Sequence, residues 1–236
     1  MNSRLASFRG PSTPNSSPVQ QRYNQKSPRA PTSPARQTES TFHRKVRSSL
    51  QELRTACRTW DDLISHDGLK AVQKLVDART DLDNQLAQVP GGGLPRTRIV
   101  GPKLAYMDER IHEIDAIVAK LRKQFAKMAA VVEGLDTLIA EAHKAKGWEW
   151  VHGEPLWVTW TLEKFVTSIG EILRPYHRSL EQHAELAAIL RPHSVTFEES
   201  RDAVHRWIEE PFLEDERWDA RWEDLCLVEI DKWDSR

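Results

Sequence analysis

Residues 102–146 read PKLAYMDERIHEIDAIVAKLRKQFAKMAAVVEGLDTLIAEAHKAK, and this stretch decides the fold. Leu104, Met107, Ile111, Ile114, Val118, Leu121, Phe125, Met128, Val132, Leu135 and Ile139 follow one another at alternating gaps of three and four. That is the period of a helix that buries a narrow seam against a partner helix. A strict 3.5-residue repeat also implies a left-handed supercoil. Pro102 suits a first helical position, and Gly147 supplies a stop. At about 1.5 Å per residue the helix would run roughly 65–70 Å, longer than a compact domain of this size needs. Ile117, Val131 and Leu138 widen the seam in places and leave room for a third helix.

The partner is legible upstream. Val46, Leu50, Leu53, Cys57, Trp60 and Ile64 repeat the same alternation, and Val72, Leu75, Leu82, Leu86 and Val89 resume it. Arg79 fills one seam position and Gly68 is a weak point, so one helix or two abutting helices are predicted over 42–88. Pro90-Gly91-Gly92-Gly93-Leu94-Pro95 then breaks the chain. A phosphate-binding loop needs a preceding strand and a Lys-Ser/Thr ending; this run has neither, and reads as a turn. A short turn favours an antiparallel hairpin over 42–146. The alternative is that the heptads pair with another chain, as a homo- or hetero-dimer.

Trp148, Trp150, Trp157 and Trp160 crowd the next segment around Gly153 and Pro155. Such aromatics either cap the end of a bundle or form a docking surface. A third helix is predicted from about Thr161 to Leu190, with a kink at Pro175. Thr196-Phe197-Glu198-Glu199 is a capping box that opens a helix ended by Pro211. The last apolar segment, 214–233, carries Trp218, Trp222, Leu225, Cys226, Val228, Ile230 and Trp233. The expected fold is all-α: an elongated antiparallel coiled-coil hairpin over 42–146 with a smaller Trp-rich helical region over 147–236.

Residues 1–41 differ from the rest. Six of the chain's 13 prolines lie there among Ser, Thr, Gln and Arg, so a disordered basic tail is expected. Its Ser-Pro pairs make Ser33 and Ser27 candidate phosphorylation sites, Ser33 with a basic residue three positions on. From 198 onward there are 14 Asp/Glu and 6 Lys/Arg, a net of −8 that offsets the basic tail. The total is −1 with a pI near 6.8, and no dense Lys/Arg stripe exists, so direct nucleic-acid binding is not expected. No run of 18 apolar residues marks a membrane span. MNSRLASFRG lacks the apolar stretch of a signal peptide, and two cysteines, Cys57 and Cys226, suit a reducing compartment.

Catalytic patterns are missing from the sequence. His112-Glu113 has no second histidine four residues after the first, and there is no Gly-x-Ser-x-Gly elbow. Cys57 and Cys226 sit in apolar patterns, where a thiol acts as a small core residue. The chain therefore reads as a non-enzyme with no cofactor and no metal.

Pro155-Leu156-Trp157-Val158-Thr159-Trp160, Phe165, Tyr176-His177-Arg178-Ser179-Leu180 and Trp207-Ile208-Glu209-Glu210-Pro211-Phe212-Leu213-Glu214-Asp215 follow in order. This succession resembles the cyclin-dependent-kinase-2-interacting protein family over about 155–229. Trp60-Asp61-Asp62-Leu63 resembles that family's early Trp-x-x-Leu helix, and Tyr106–Leu138 its central coil. Pro175 departs from the family's uninterrupted helix.

The resemblance implies a nuclear, and also cytoplasmic, adaptor or scaffold tied to DNA replication and checkpoint signalling. It implies protein partners: a cyclin-dependent or replication kinase, and an AAA-type ATPase assembly that remodels replication complexes or matures ribosome precursors. A related helical ribosome-maturation adaptor is similar too, as relative or as partner. The residues carrying the resemblance place an interaction surface at Trp157, Trp160, Trp207, Pro211 and Phe212, or else make them glue between the helical end and the coil. A structural coiled-coil subunit of a kinetochore, spindle or ribosome-maturation complex, using the long helix, is the rival reading.

Overall fold

The computed structural model describes residues 39–89, 97–213, 217–218 and 222–231. The tail, with Ser27 and Ser33, and the Gly-rich turn at 90–95 lie outside the described residues. Everything regular is helical: α1 Thr41–Asp62, α2 Leu69–Ala87, α3 Thr97–Lys146, α4 Trp148–Gly153, α5 Leu162–Gly170, α6 Leu173–Leu190, α7 Phe197–Glu209 and α8 Asp224–Cys226. Among the described residues there is no strand, only an isolated bridge between Pro155 and Thr161.

Helices α1 and α2 form one continuous arm, joined through a π-helical turn, Leu63–Gly68, whose flanking residues keep helical dihedrals. The arm runs antiparallel to α3. Ion pairs mark the register: Lys45 meets Glu141, Lys120 meets Asp67, and Lys103 meets Asp81, so one number falls as the other rises. The hairpin expected from the heptads is present within one chain. Helix α6 lies antiparallel on another flank of α3, with Gly170 against Val132, His177 against Phe125 and Arg191 paired to Asp115. Helix α7 closes the bundle between α2 and α6.

Two neighbours explain where the seam departs from expectation. Ile114, Val118, Leu121, Met128 and Leu135 are buried, but Ile111, Phe125 and Val132 are only half-buried. Met107 of the seam is buried too, as are the widening residues Ile117, Val131 and Leu138, together with Arg110 and Ala142. A helix clasped from two sides needs a stripe wider than an a/d seam. Ile117 lines the α2 side, while Phe125 and Val132 face α5 and α6. The third helix thus packs on the opposite shoulder from the residues that widen the pattern.

Prolines moved two boundaries. Helix α3 begins at Thr97, five residues before Pro102. The proline forfeits one bond to the Arg98 carbonyl at an exposed end, where that is tolerated. The predicted helix 161–190 is two helices, and the break falls at 171–172 instead of at Pro175. Pro175 is the third residue of α6, where an amide N–H has no partner within the helix. Proline costs little there, and α5 ends before it. Gly147 terminates α3 at φ 88°, a conformation that side chains resist. The Thr196 capping box forms reciprocally: Glu199 N–H donates to Thr196 Oγ1 at 3.2 Å, and Thr196 N–H donates to Glu199 Oε2 at 3.0 Å.

Candidate interaction surface

The π-helical turn at Leu63–Gly68 positions a fully buried tryptophan. A π turn leaves carbonyls without their i+4 donor. Trp207, on α7, donates its indole N–H to the Ile64 carbonyl at 3.3 Å. Its ring lies over Gly68, where an added Cβ would come within 2.7 Å of Trp207 Cζ2. His183 on α6 meets the ring edge-on at 4.7 Å, and its Nε2 lies 3.2 Å from the Trp207 carbonyl. Burial lowers the His183 pKa, against the raising effect of the Ser179 and Trp207 carbonyls. Trp207 is 0% exposed and belongs to the core joining α1, α2, α6 and α7.

Trp157 is buried as well. Its N–H donates to Glu39 at 3.1 Å, and its ring meets Phe165 and His43 edge-on. His43 Nε2 contacts the Leu156 carbonyl; burial lowers the His43 pKa more than that bond raises it. Trp160 is half-buried, with the Lys164 ammonium 4.4 Å from its ring centroid. The five predicted site residues are therefore not one surface. Trp157 and Trp207 are internal, Trp160 sits at a boundary, and Pro211 and Phe212 are exposed.

Pro211 and Phe212 border a groove of about 370 Å³ between α6 and α7, lined also by Arg178, Glu181, Gln182, Glu185, Arg206 and Glu209. The Arg178 guanidinium lies 5.9 Å from the Phe212 ring, and Gln182 ties the walls together by donating to the Arg206 carbonyl at 2.8 Å. Phe212 is 39% exposed. An apolar rim flanked by both signs of charge can seat a protein segment.

Sequence reasoning missed the buried charges. Glu210 ends α7 in the left-handed region at φ 38° and accepts from Arg217 at 2.6 Å. Burial pushes its carboxyl up to about 7; Arg217 opposes this and Asp61 adds to it. Arg79, noted only as an oddity on the seam, caps α6 by donating to the Leu190 and Pro192 carbonyls and to Ser200 Oγ. Glu229 is 1% exposed and accepts from three consecutive amides. An acid inside the apolar run Leu225–Ile230 was the available signal.

Among the described residues, no group of three His, Cys, Asp or Glu side chains is placed to hold a metal ion. Among the described residues no helix is long and apolar enough to cross a membrane. No family model matches the chain, and no curated protein matches it.

Proposed function

We propose that the chain is a non-enzymatic adaptor or scaffold subunit that presents the α6–α7 groove to a larger assembly. The observation that carries this is the exposure of Pro211 and Phe212 beside a charged groove, while nearby motif tryptophans are used internally. Following the resemblance, the assembly is an AAA-type ATPase complex acting on replication complexes or ribosome precursors, in the nucleus and also the cytoplasm. A cyclin-dependent or replication kinase and a related helical adaptor are its other protein partners. The seam of α3 is filled by the chain's own α1, α2 and α6, which weighs against assembly through the coil.

The test is affinity purification of the full chain from cells, followed by mass spectrometry, with wild type beside Phe212→Ala. Phe212 is partly solvated, so the truncation is expected to cost less than about 1 kcal/mol of stability. An AAA-type ATPase and replication or ribosome-maturation factors should accompany the wild type and be lost with Phe212→Ala at unchanged Tm. Their absence from the wild-type purification would sink the proposal.

A further inference from the structure

Residues 155–161 close on themselves. The bridge between Pro155 and Thr161 shuts the loop, and Leu156 N–H donates to the Trp160 carbonyl at 2.7 Å. Trp157 anchors it in the core, and Thr161 caps α5 by accepting from Lys164 N–H at 3.2 Å. Within the loop, the amides of Val158, Thr159 and Trp160 converge on Glu229 Oε2 at 3.1, 3.0 and 3.3 Å. The Thr159 hydroxyl donates to Glu229 Oε1. Successive amides aimed at one point make an anion-binding nest. The bridge, the Leu156 bond and the Trp157 and Thr161 contacts close the loop without Glu229, whose carboxylate fills the nest.

The occupant is a short segment, 222–231, comprising α8 and a π-helical turn. Discrete side chains hold it. Trp222 is buried, stacks on Trp218 with centroids 6.0 Å apart and meets Trp160 edge-on. Glu223 pairs with Arg54 and, at 3.1 Å, with Arg58, both on α1. Ile230 is buried, whereas Leu227 and Val228 on the outer side are 52% and 43% exposed. The ion pairs are partly solvated and individually weak. Thr159 is exposed at the edge of the nest, while Glu229 within it is buried. Aromatic anchor, acid on paired arginines and acid in a backbone nest are the marks of a linear peptide seated on a receptor.

We infer that the 155–161 loop, with Arg54 and Arg58, is a receptor for a short helical segment bearing an aromatic–acid pair and a second acid six residues after the first. Residues 222–231 are its built-in ligand, and a partner segment of the same chemistry displaces them. This site is separate from the α6–α7 groove and stands without the adaptor reading.

The probe is a fluorescent peptide, WEDLCLVEID, added to the full chain and followed by anisotropy. In wild type the segment in cis competes. Glu229→Gln weakens that competitor and raises the open fraction, so the peptide should bind the variant at least about ten-fold more tightly. A peptide with glutamine in place of its second glutamate should not bind. Hydrogen exchange on the wild type is the second arm: the amides of 158–160 should exchange through local opening at least about ten-fold faster than those of Leu121 and Met128. Exchange of 158–160 only through global unfolding, or unfolding of Glu229→Gln, would make the segment an integral part of the core and overturn the inference. So would a folded variant that ignores the peptide, or a concentration-dependent dimer that excludes it and assigns the site to a second copy.

Discussion

Replacing Glu210 by Gln should change how stability depends on pH. The carboxyl ionises near 4.5 in an unfolded chain and at about 7 in the fold, because burial penalises its charge. Asp61 adds to the rise, and Arg217 opposes it without cancelling it. A folded-state pKa above the unfolded one contributes stability that is complete below about 4.5 and lost as pH rises through about 7. The gap between 4.5 and about 7, at about 1.4 kcal/mol per pH unit, corresponds to roughly 3 kcal/mol. The wild type therefore carries that penalty at pH 8 and little of it at pH 5.

Two histidines act the other way. Burial lowers the pKa of both His43 and His183, so the unfolded chain takes up protons that the fold refuses as pH drops below 6.5. The wild-type curve alone mixes these effects, and the difference between wild type and Glu210→Gln isolates one. Glutamine keeps the shape and the left-handed φ of 38° tolerably, and Arg217 is solvated enough to stand without its partner. Urea unfolding followed by tryptophan fluorescence, from pH 5 to 8.5, measures the difference. The variant should gain on the wild type by up to about 3 kcal/mol as pH rises, with the gain accumulating between 4.5 and about 7 and levelling off above that. A difference that stays flat across this range, or a variant that loses ground at pH 8, would refute the assignment of a buried, Asp61-coupled carboxyl.

Gly68→Ala should destabilise by about 2–3 kcal/mol, although alanine gains about 1 kcal/mol in helix propensity. The new Cβ meets Trp207 Cζ2 at 2.7 Å and the Leu63 carbonyl at 2.9 Å, and calorimetry should show a lowered Tm. Arg79→Met keeps the buried stem but strips donors from the Leu190 and Pro192 carbonyls and Ser200, at a cost of about 2–3 kcal/mol in chemical denaturation.

Helix positions were legible because apolar periodicity is local information. The exact face of α3 was not, because two stripes share Met107, Ile114, Leu121, Met128 and Leu135 and run side by side at the same spacing. Which shoulder is buried depends on where the second neighbour lies, and that is set by segments some 50 residues away. The same limit governs Pro175. Proline forbids a helix interior but permits a first turn, so it locates a break only once the start of α6 is known. Buried charges escaped for another reason: Arg79 and Glu229 find their partners on distant elements, and no spacing rule encodes that.

The tryptophans carry the sharper lesson for function. Trp157 and Trp207 have their rings in the core and spend their indole N–H groups within the chain. A motif built on such residues is a statement about how α1, α6, α7 and the 155–161 loop fit together. It says much less about a partner, since a side chain that seals the core cannot also be the one a partner reads. Where the motif reaches the surface, at Pro211 and Phe212, side-chain identity is free of packing demands, and recognition can act on it. Variants at these two exposed positions should therefore separate binding from folding, whereas variants at Trp157 or Trp207 should lose both together.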